Sequence, residues 1–150
     1  MEPSPASAGS SAGRGGHRRR RHGRRVAIEI LYEADVLGRK PTEVVAEWQA
    51  ADRSVPEHAM DLVAGVERNR EAIDAVLAAH SEGWPLHRMT VVDRNILRVA
   101  CHELGSGVPV GVVVNEAVEL ANELSTEDSG RFVNGVLGRI AREESAGRKD

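Results

Sequence analysis

The chain has 150 residues, a net charge of −3 at pH 7 and a single cysteine, Cys101. This length predicts one domain with one hydrophobic core. The single cysteine excludes an internal disulfide and is typical of a reducing compartment, so we expect a cytoplasmic protein. The sequence contains neither a signal peptide nor a run of about 18 apolar residues, and we therefore expect no export and no membrane contact.

The two ends of the chain differ from its middle. Residues 1–17 are mostly Ser, Ala, Gly and Pro ahead of the first arginine run and lack apolar periodicity, which predicts a flexible tail. A helical domain is expected over residues 18–145, and a short tail over 146–150. Residues 1–25 hold seven arginines against one glutamate, a net charge of +6, so the rest carries −9. A basic segment on an acidic body indicates an anionic partner, although a solvated tail or a nuclear-localisation signal has the same composition.

Apolar residues recur with helical spacing along nearly the whole domain, which predicts an all-α fold of about seven helices. The first helix should continue out of the basic segment and end at Gly38. Thr42 is a candidate cap for the second helix, and Ser54 begins a pattern with capping-box spacing ahead of the third.

The second half of the domain continues the pattern. A fourth helix is expected from residue 70, Trp84-Pro85 interrupts it, and Thr90 is placed to cap the fifth. Residues 108–114 are rich in valine and alone would fit a strand. Because the chain offers no partner strands, a helix after Pro109 is favoured.

The basic segment has a geometry that suits a nucleic-acid strand. At 100° per residue, Arg21, Arg25 and Tyr32 lie on a stripe facing away from the core stripe, with Ile28 beside them. Guanidinium groups bind phosphates and an aromatic face stacks on a base. Single-stranded RNA is favoured, since no second basic helix would fit a DNA major groove. The alternative is that Tyr32 packs under a neighbouring helix, and Gly23 weakens the helical extension.

Phe132 is a second candidate contact. It lies near the edge of the apolar stripe of the last helix, so it either flanks the core or forms a stacking platform beside Asp128 and Arg131. The sequence lacks a phosphate-binding glycine loop, a nucleophile elbow and metal-ligand spacing. We therefore expect a binding protein rather than an enzyme, with no cofactor and no metal.

Four segments of the chain resemble the NusB family of bacterial transcription antitermination factors. The basic start running into AIEILYEADVLG (27–38) is similar to the N-terminus of that family. VDRNILRVACHEL (92–104), VVVNEAVELANELS (112–125) and EDSGRFVNGVLGRI (127–140) are similar, in order, to its C-terminal half. The resemblance covers roughly residues 19–142, with residues 40–88 matching only in helix pattern.

The resemblance implies a domain of two packed three-helix-type bundles. It implies binding of the boxA element of ribosomal RNA leader transcripts, together with NusE, a small-subunit ribosomal protein. The complex would join RNA polymerase and other Nus factors and suppress premature termination, without catalysis or cofactor. A protein-interaction scaffold, whose basic segment only steers nonspecific RNA binding, remains the alternative. Whether the free protein is a monomer or a homodimer, and which RNA sequence it prefers, stays open.

The resemblance also implies specific contact residues. Two residues, Asp93 and Tyr32, are expected to contact NusE. Seven residues in two patches are expected to contact RNA: Arg20, Arg21, Arg24 and Arg25 in the basic segment, and Asp128, Arg131 and Phe132 near the start of the last helix.

Overall fold

The computed structural model describes residues 5–148, with side chains from residue 15 to residue 145, and contains seven α-helices and one 3₁₀ turn within that range. This confirms the predicted all-α class. The helices are α1 (Pro5–Leu37), α2 (Pro41–Ala50), α3 (Glu57–Arg68), α4 (Arg70–His80), α5 (Val91–Gly105), α6 (Val110–Leu124) and α7 (Glu127–Arg148), and the 3₁₀ turn is Leu86–Arg88.

Helix α1 runs without a break from the basic segment into the core. Gly38 follows it with a φ of 67°, a conformation that favours glycine, and so ends the helix as predicted. The helix also extends back to Pro5, across the boundary expected at residue 17. At the other end α7 passes residue 145 and reaches Arg148. Flexibility of these two terminal segments stays a prediction, and residues 1–4 and 149–150 lie outside the described range.

Of the three predicted caps, only that of α5 is confirmed. The Thr90 hydroxyl accepts a hydrogen bond of 3.1 Å from the Asp93 amide. Helix α2 instead begins at Pro41, where the fixed φ of proline suits the first turn, and the Thr42 hydroxyl donates to Glu67. Helix α3 begins at Glu57 after Pro56, so Ser54 lies too early to cap it.

The helices form two bundles that meet along α5. Helices α1, α2 and α3 pack together, and α5, α6 and α7 form the second group with α4 against α5 and α7. Both α1 and α3 contact α5, so one continuous core joins the bundles. Because α1 is covered on more than one side, Ile28 is only 2% exposed and lines a small internal gap with Val99 and Val113, contrary to its predicted place beside the exposed stripe.

An ion-pair network fixes the C-terminal half of α1 to the second bundle. Arg98 of α5 donates to Asp35 of α1 at 3.0 Å and to Asp74 of α4 at 2.8 Å. Asp35 also accepts from Arg94 at 2.9 Å, and these cations lower the pKa of Asp35 against the opposing effect of its burial. None of the described helices has an apolar stretch long enough to cross a membrane.

Candidate nucleic-acid interface

The basic segment of α1 lies beside an acidic edge of α6. Arg20 is exposed, whereas Arg21 donates from Nε to Glu116 at 3.0 Å and also contacts Glu119. The pairing with Glu116 raises the pKa of Arg21. One turn later, Arg25 donates to Glu123 at 3.1 Å. The side chains of Arg21 and Arg25 remain 41% and 43% exposed, so both still present guanidinium surface to solvent.

Arg24 differs from its neighbours because it points into the protein. It is 2% exposed, and its guanidinium makes a two-point contact with Glu103 of α5, with distances of 2.8 and 2.9 Å. Glu103 is itself 3% exposed. An RNA strand bound at the protein surface cannot reach this buried side chain. The structure therefore contradicts the prediction that Arg24 contacts RNA.

The second predicted patch forms one wall of an open depression of about 530 Å³ between α5, α7 and the turn before α5. Asp93 lines the same depression as Asp128, Arg131 and Phe132, a juxtaposition that no sequence pattern predicts. Several lining residues were not among the predicted contacts, and they include one aromatic side chain and two arginines: Trp84, Arg88 and Arg139. Trp84 is 47% exposed, and its only sequence signal was the helix break at Trp84-Pro85.

Asp93 is the most unusual group in this depression. It is 7% exposed, and its Oδ2 accepts a hydrogen bond of 3.1 Å from Ser129 of α7. Its other oxygen, Oδ1, is buried and has no hydrogen-bond partner among the described residues. Burial raises the pKa of Asp93, and hydrogen bonds with Ser129 and Thr90 partly offset this rise. A buried acceptor without a partner costs folding free energy, and such a group is suited to receive a donor from a ligand.

The remaining residues of the α7 patch face outward. Asp128 and Arg131 pair with each other and are 87% and 73% exposed, so both can exchange this contact for a ligand. Phe132 is partly buried and packs against the core. Phe132 therefore contributes to core packing and also lines the depression.

Tyr32 is not among the residues that line the depression. It is 44% exposed, which excludes the reading in which it packs under a neighbouring helix. Val36 and Leu37 continue this exposed surface at 56% and 59%. Asp35, between them, pairs with Arg94 next to Asp93, so the two predicted partner-contact residues sit on adjoining segments of α1 and α5.

Within residues 15–145, no group of three or more His, Cys, Asp or Glu side chains is arranged to hold a metal ion. Burial raises the pKa of the Cys101 thiol to about 11, which is unfavourable for a nucleophile.

Comparisons with known proteins agree on one family. A family model described as NusB family matches residues 21–142. The chain is 45% identical over 128 residues to the transcription antitermination protein NusB of Salinispora tropica, covering 81% of this chain and 94% of that protein. It is 48% identical over 120 residues to the same-named protein of Acidothermus cellulolyticus, covering 78% of this chain and 83% of that protein.

Two solved structures share the fold. A crystal structure of T. maritima NusB superimposes with a TM-score of 0.73 at 34% identity, covering 83% of this chain and 91% of that one. A crystal structure described as antitermination factors NusB and NusE in complex with dsRNA gives a TM-score of 0.73 at 32% identity, covering 84% of this chain and 98% of that one.

Proposed function

Because the chain belongs to the NusB family, we propose that it acts in transcription antitermination by binding single-stranded boxA-type RNA of ribosomal RNA leader transcripts together with NusE. The observation that carries this proposal is the depression in which the predicted partner contact, Asp93, adjoins the predicted RNA contacts of α7. The related NusB–NusE–dsRNA complex supports both kinds of partner.

The RNA is held at two places, the basic segment of α1 and the α7 patch. Arg20 and Arg25 of α1 neutralise phosphates, since both present solvent-exposed guanidinium groups. At the α7 patch, Arg131 binds phosphate and Phe132 offers the free part of its ring to a base. Unpaired bases can be splayed onto an aromatic ring, whereas bases within an A-form duplex cannot, and this favours a single strand.

NusE covers the surface from Tyr32 to Asp93. The exposed apolar side chains of Tyr32, Val36 and Leu37 supply area that a partner can bury. The Asp93 Oδ1 atom accepts a hydrogen bond from a basic side chain of the partner. Assembly with RNA polymerase and other Nus factors follows in the cytoplasm. A homodimer of the free protein would use the same apolar surface.

A scaffold role is the second candidate, and one observation favours it. Arg21 and Arg25 are already paired with carboxylates of α6, so they attract RNA less strongly than free arginines would. In that case the basic segment only steers nonspecific RNA, and protein partners supply the specificity.

The deciding experiment is a fluorescence-anisotropy titration at fixed salt concentration with three labelled RNAs: a boxA-like single strand, a scrambled single strand and a duplex of the boxA-like sequence. Each is measured with and without purified NusE. We expect the boxA-like strand to bind most tightly and NusE to increase its affinity further. Equal affinity for the boxA-like and scrambled strands in the presence of NusE would exclude specific recognition and favour the scaffold.

A further inference from the structure

The contact between Arg24 and Glu103 lies where the basic segment of α1 leaves the domain. From its geometry we infer that this buried ion pair is the anchor that holds the preceding arginines in place, so that Arg24 and Glu103 are positioning residues for RNA binding. The inference rests on the proposed RNA contact of α1, and it reassigns Arg24 from ligand contact to support.

The burial of both partners is the first argument. Arg24 and Glu103 are 2% and 3% exposed, and both oxygens of Glu103 accept from Arg24. Two-point arginine–carboxylate contacts fix orientation as well as distance. The pair joins α1 to α5 across 79 positions in sequence. Arg21 also contacts a buried carboxylate, Glu116, but Arg21 itself is 41% exposed. Arg25 and Glu123 are both exposed, so solvent screens their pair, and Arg24 alone among these three arginines is buried together with its partner.

The packing around Gly23 is the second argument. A Cβ atom at Gly23 would lie 2.8 Å from His58 Cδ2 and 3.0 Å from His58 Cβ, so α1 approaches α3 closely only because position 23 is glycine. A glycine inside a helix raises the cost of keeping the helix formed. The segment before it therefore needs a tertiary restraint, and the Arg24–Glu103 pair supplies one at the next residue.

The surrounding charges complete the environment. His58 has its Nε2 buried without a hydrogen-bond partner among the described residues, as has Arg24 at Nη1. Burial is the largest effect on His58 and lowers its pKa, with Glu103 opposing and Arg24 reinforcing the shift. At neutral pH the site accordingly holds one cation and one anion, and loss of either charge leaves the other buried and uncompensated.

The test uses three variants of the full chain. Glu103→Gln removes the anionic partner. The double variant Arg24→Glu with Glu103→Arg exchanges the two charges, and the double variant Arg24→Met with Glu103→Leu replaces the pair with apolar side chains of similar size, a change that is often tolerated. Glu119→Gln is the matched control, because it removes a surface contact of Arg21 and leaves the anchor intact.

Two quantities are measured: amide hydrogen exchange of residues 18–23 in the free protein, and affinity for the single-stranded RNA that the wild type binds best. Glu103→Gln should speed exchange and weaken RNA binding several-fold, while Glu119→Gln leaves exchange unchanged. At least one double variant should restore both quantities, although it places no arginine at position 24.

Three results would overturn the inference. Unchanged exchange in Glu103→Gln would show that the pair does not restrain the segment. Folded double variants with wild-type exchange but persistently weak RNA binding would show that Arg24 contacts RNA directly. Failure of both double variants to restore exchange would show that the pair is not a replaceable anchor. If the wild type binds no RNA, the proposed function fails, while hydrogen exchange still decides whether the pair is an anchor.

Discussion

Ser129, near the start of α7, donates a hydrogen bond of 3.1 Å to Asp93, near the start of α5. This bond joins the residue expected to contact a protein partner to the helix expected to contact RNA. A ligand that binds to either side chain and shifts it changes the hydrogen bonding of the other. The two partners should therefore influence each other's affinity, and by linkage the effect must be equal in both directions.

The first prediction concerns Asp93→Asn. Because the pKa of Asp93 is raised in the folded protein, its protonated form favours folding; this contribution is fully present below the unfolded pKa and is lost as the pH rises through the folded pKa. At pH 7 the charge therefore costs stability, and Asp93→Asn should unfold at an equal or higher urea concentration than the wild type. The difference should shrink as the pH is lowered through the titration of this carboxyl group.

The same variant should bind NusE more weakly, since a neutral amide cannot pair with a cation. Isothermal titration with NusE measures this loss. Undiminished NusE affinity would place the partner contact elsewhere, and a large loss of stability at pH 7 would contradict the pH argument.

The second prediction concerns the exposed arginines. The double variant Arg20→Ala with Arg25→Ala should make RNA binding less salt-dependent, lowering the slope of log K against log salt by about 1.4, from about 0.7 per phosphate of a single strand. The slope is measured by repeating the anisotropy titration over a range of KCl concentrations. Arg53→Ala serves as the control, because that residue lies over the Trp48 ring, away from the basic segment. A slope equal to that of the wild type would rule out phosphate contacts at positions 20 and 25.

The third prediction concerns the acidic edge of α6. Glu119 and Glu123 hold Arg21 and Arg25 through exposed ion pairs, which contribute about 0.2–1 kcal/mol each. Replacing both with glutamine leaves Arg21 with Glu116 as its remaining α6 partner and removes the α6 partner of Arg25. More guanidinium surface then becomes available to phosphate, and we expect RNA affinity to rise about two- to tenfold. The control is the double variant Glu43→Gln with Glu47→Gln, which removes two α2 carboxylates that pair with Arg39 in the same exposed manner. This control should leave RNA affinity unchanged. Weaker RNA binding in the α6 variant would mean that these pairs orient the arginines rather than compete for them.

The fourth prediction concerns Phe132. Since the ring is partly buried against the core, Phe132→Ala should cost about 1–2 kcal/mol of unfolding free energy, less than a fully buried phenylalanine does. RNA affinity should fall because the stacking surface is lost. Phe132→Leu keeps most of the packing and separates the two effects: it should unfold close to the wild type while still binding RNA weakly. Full RNA affinity in Phe132→Leu would assign the side chain to the core alone.

The fifth prediction concerns Gly23. Alanine in place of glycine within a helix ordinarily stabilises it by about 1 kcal/mol. At position 23 the new methyl group would meet the His58 ring, so Gly23→Ala should instead lower the urea midpoint. Gly135→Ala in α7 is the control, because its nearest neighbour would be Arg139 at an ordinary 3.5 Å, and this variant should gain stability. A gain at both positions would mean that His58 moves aside freely.

Much of the fold could be predicted from the sequence because apolar spacing reports directly on burial. Ala27 and Ile30 have the helical spacing that predicts a core-facing stripe, and both are fully buried. The end at Gly38 and the cap at Thr90 follow from local chemistry and were also predicted correctly. Thr42 was misassigned because its hydroxyl has a distant partner, Glu67, which local spacing cannot reveal.

The candidate site was less predictable for the same reason. Arginines are usually exposed, and nothing near Arg24 in sequence indicates that its partner is Glu103 on α5. Gly23 was interpreted as a weakness of the helix, whereas the structure uses it for close packing against His58. Trp84 was noted only as a helix break, since one sequence shows no sign that it shares a depression with Phe132.

The two ion-pair contacts between α1 and α5, Arg24–Glu103 and Asp35–Arg98, determine how cooperatively the protein unfolds. Arg24 is tied near one end of the shared interface and Asp35 near the other, about 16 Å apart along the helix axis at 1.5 Å per residue. If either bundle loses its tertiary structure, charged side chains in the other bundle lose their ion-pair partners. Calorimetry should accordingly record one endotherm whose calorimetric and van't Hoff enthalpies agree, and two resolved endotherms would show that the halves denature independently.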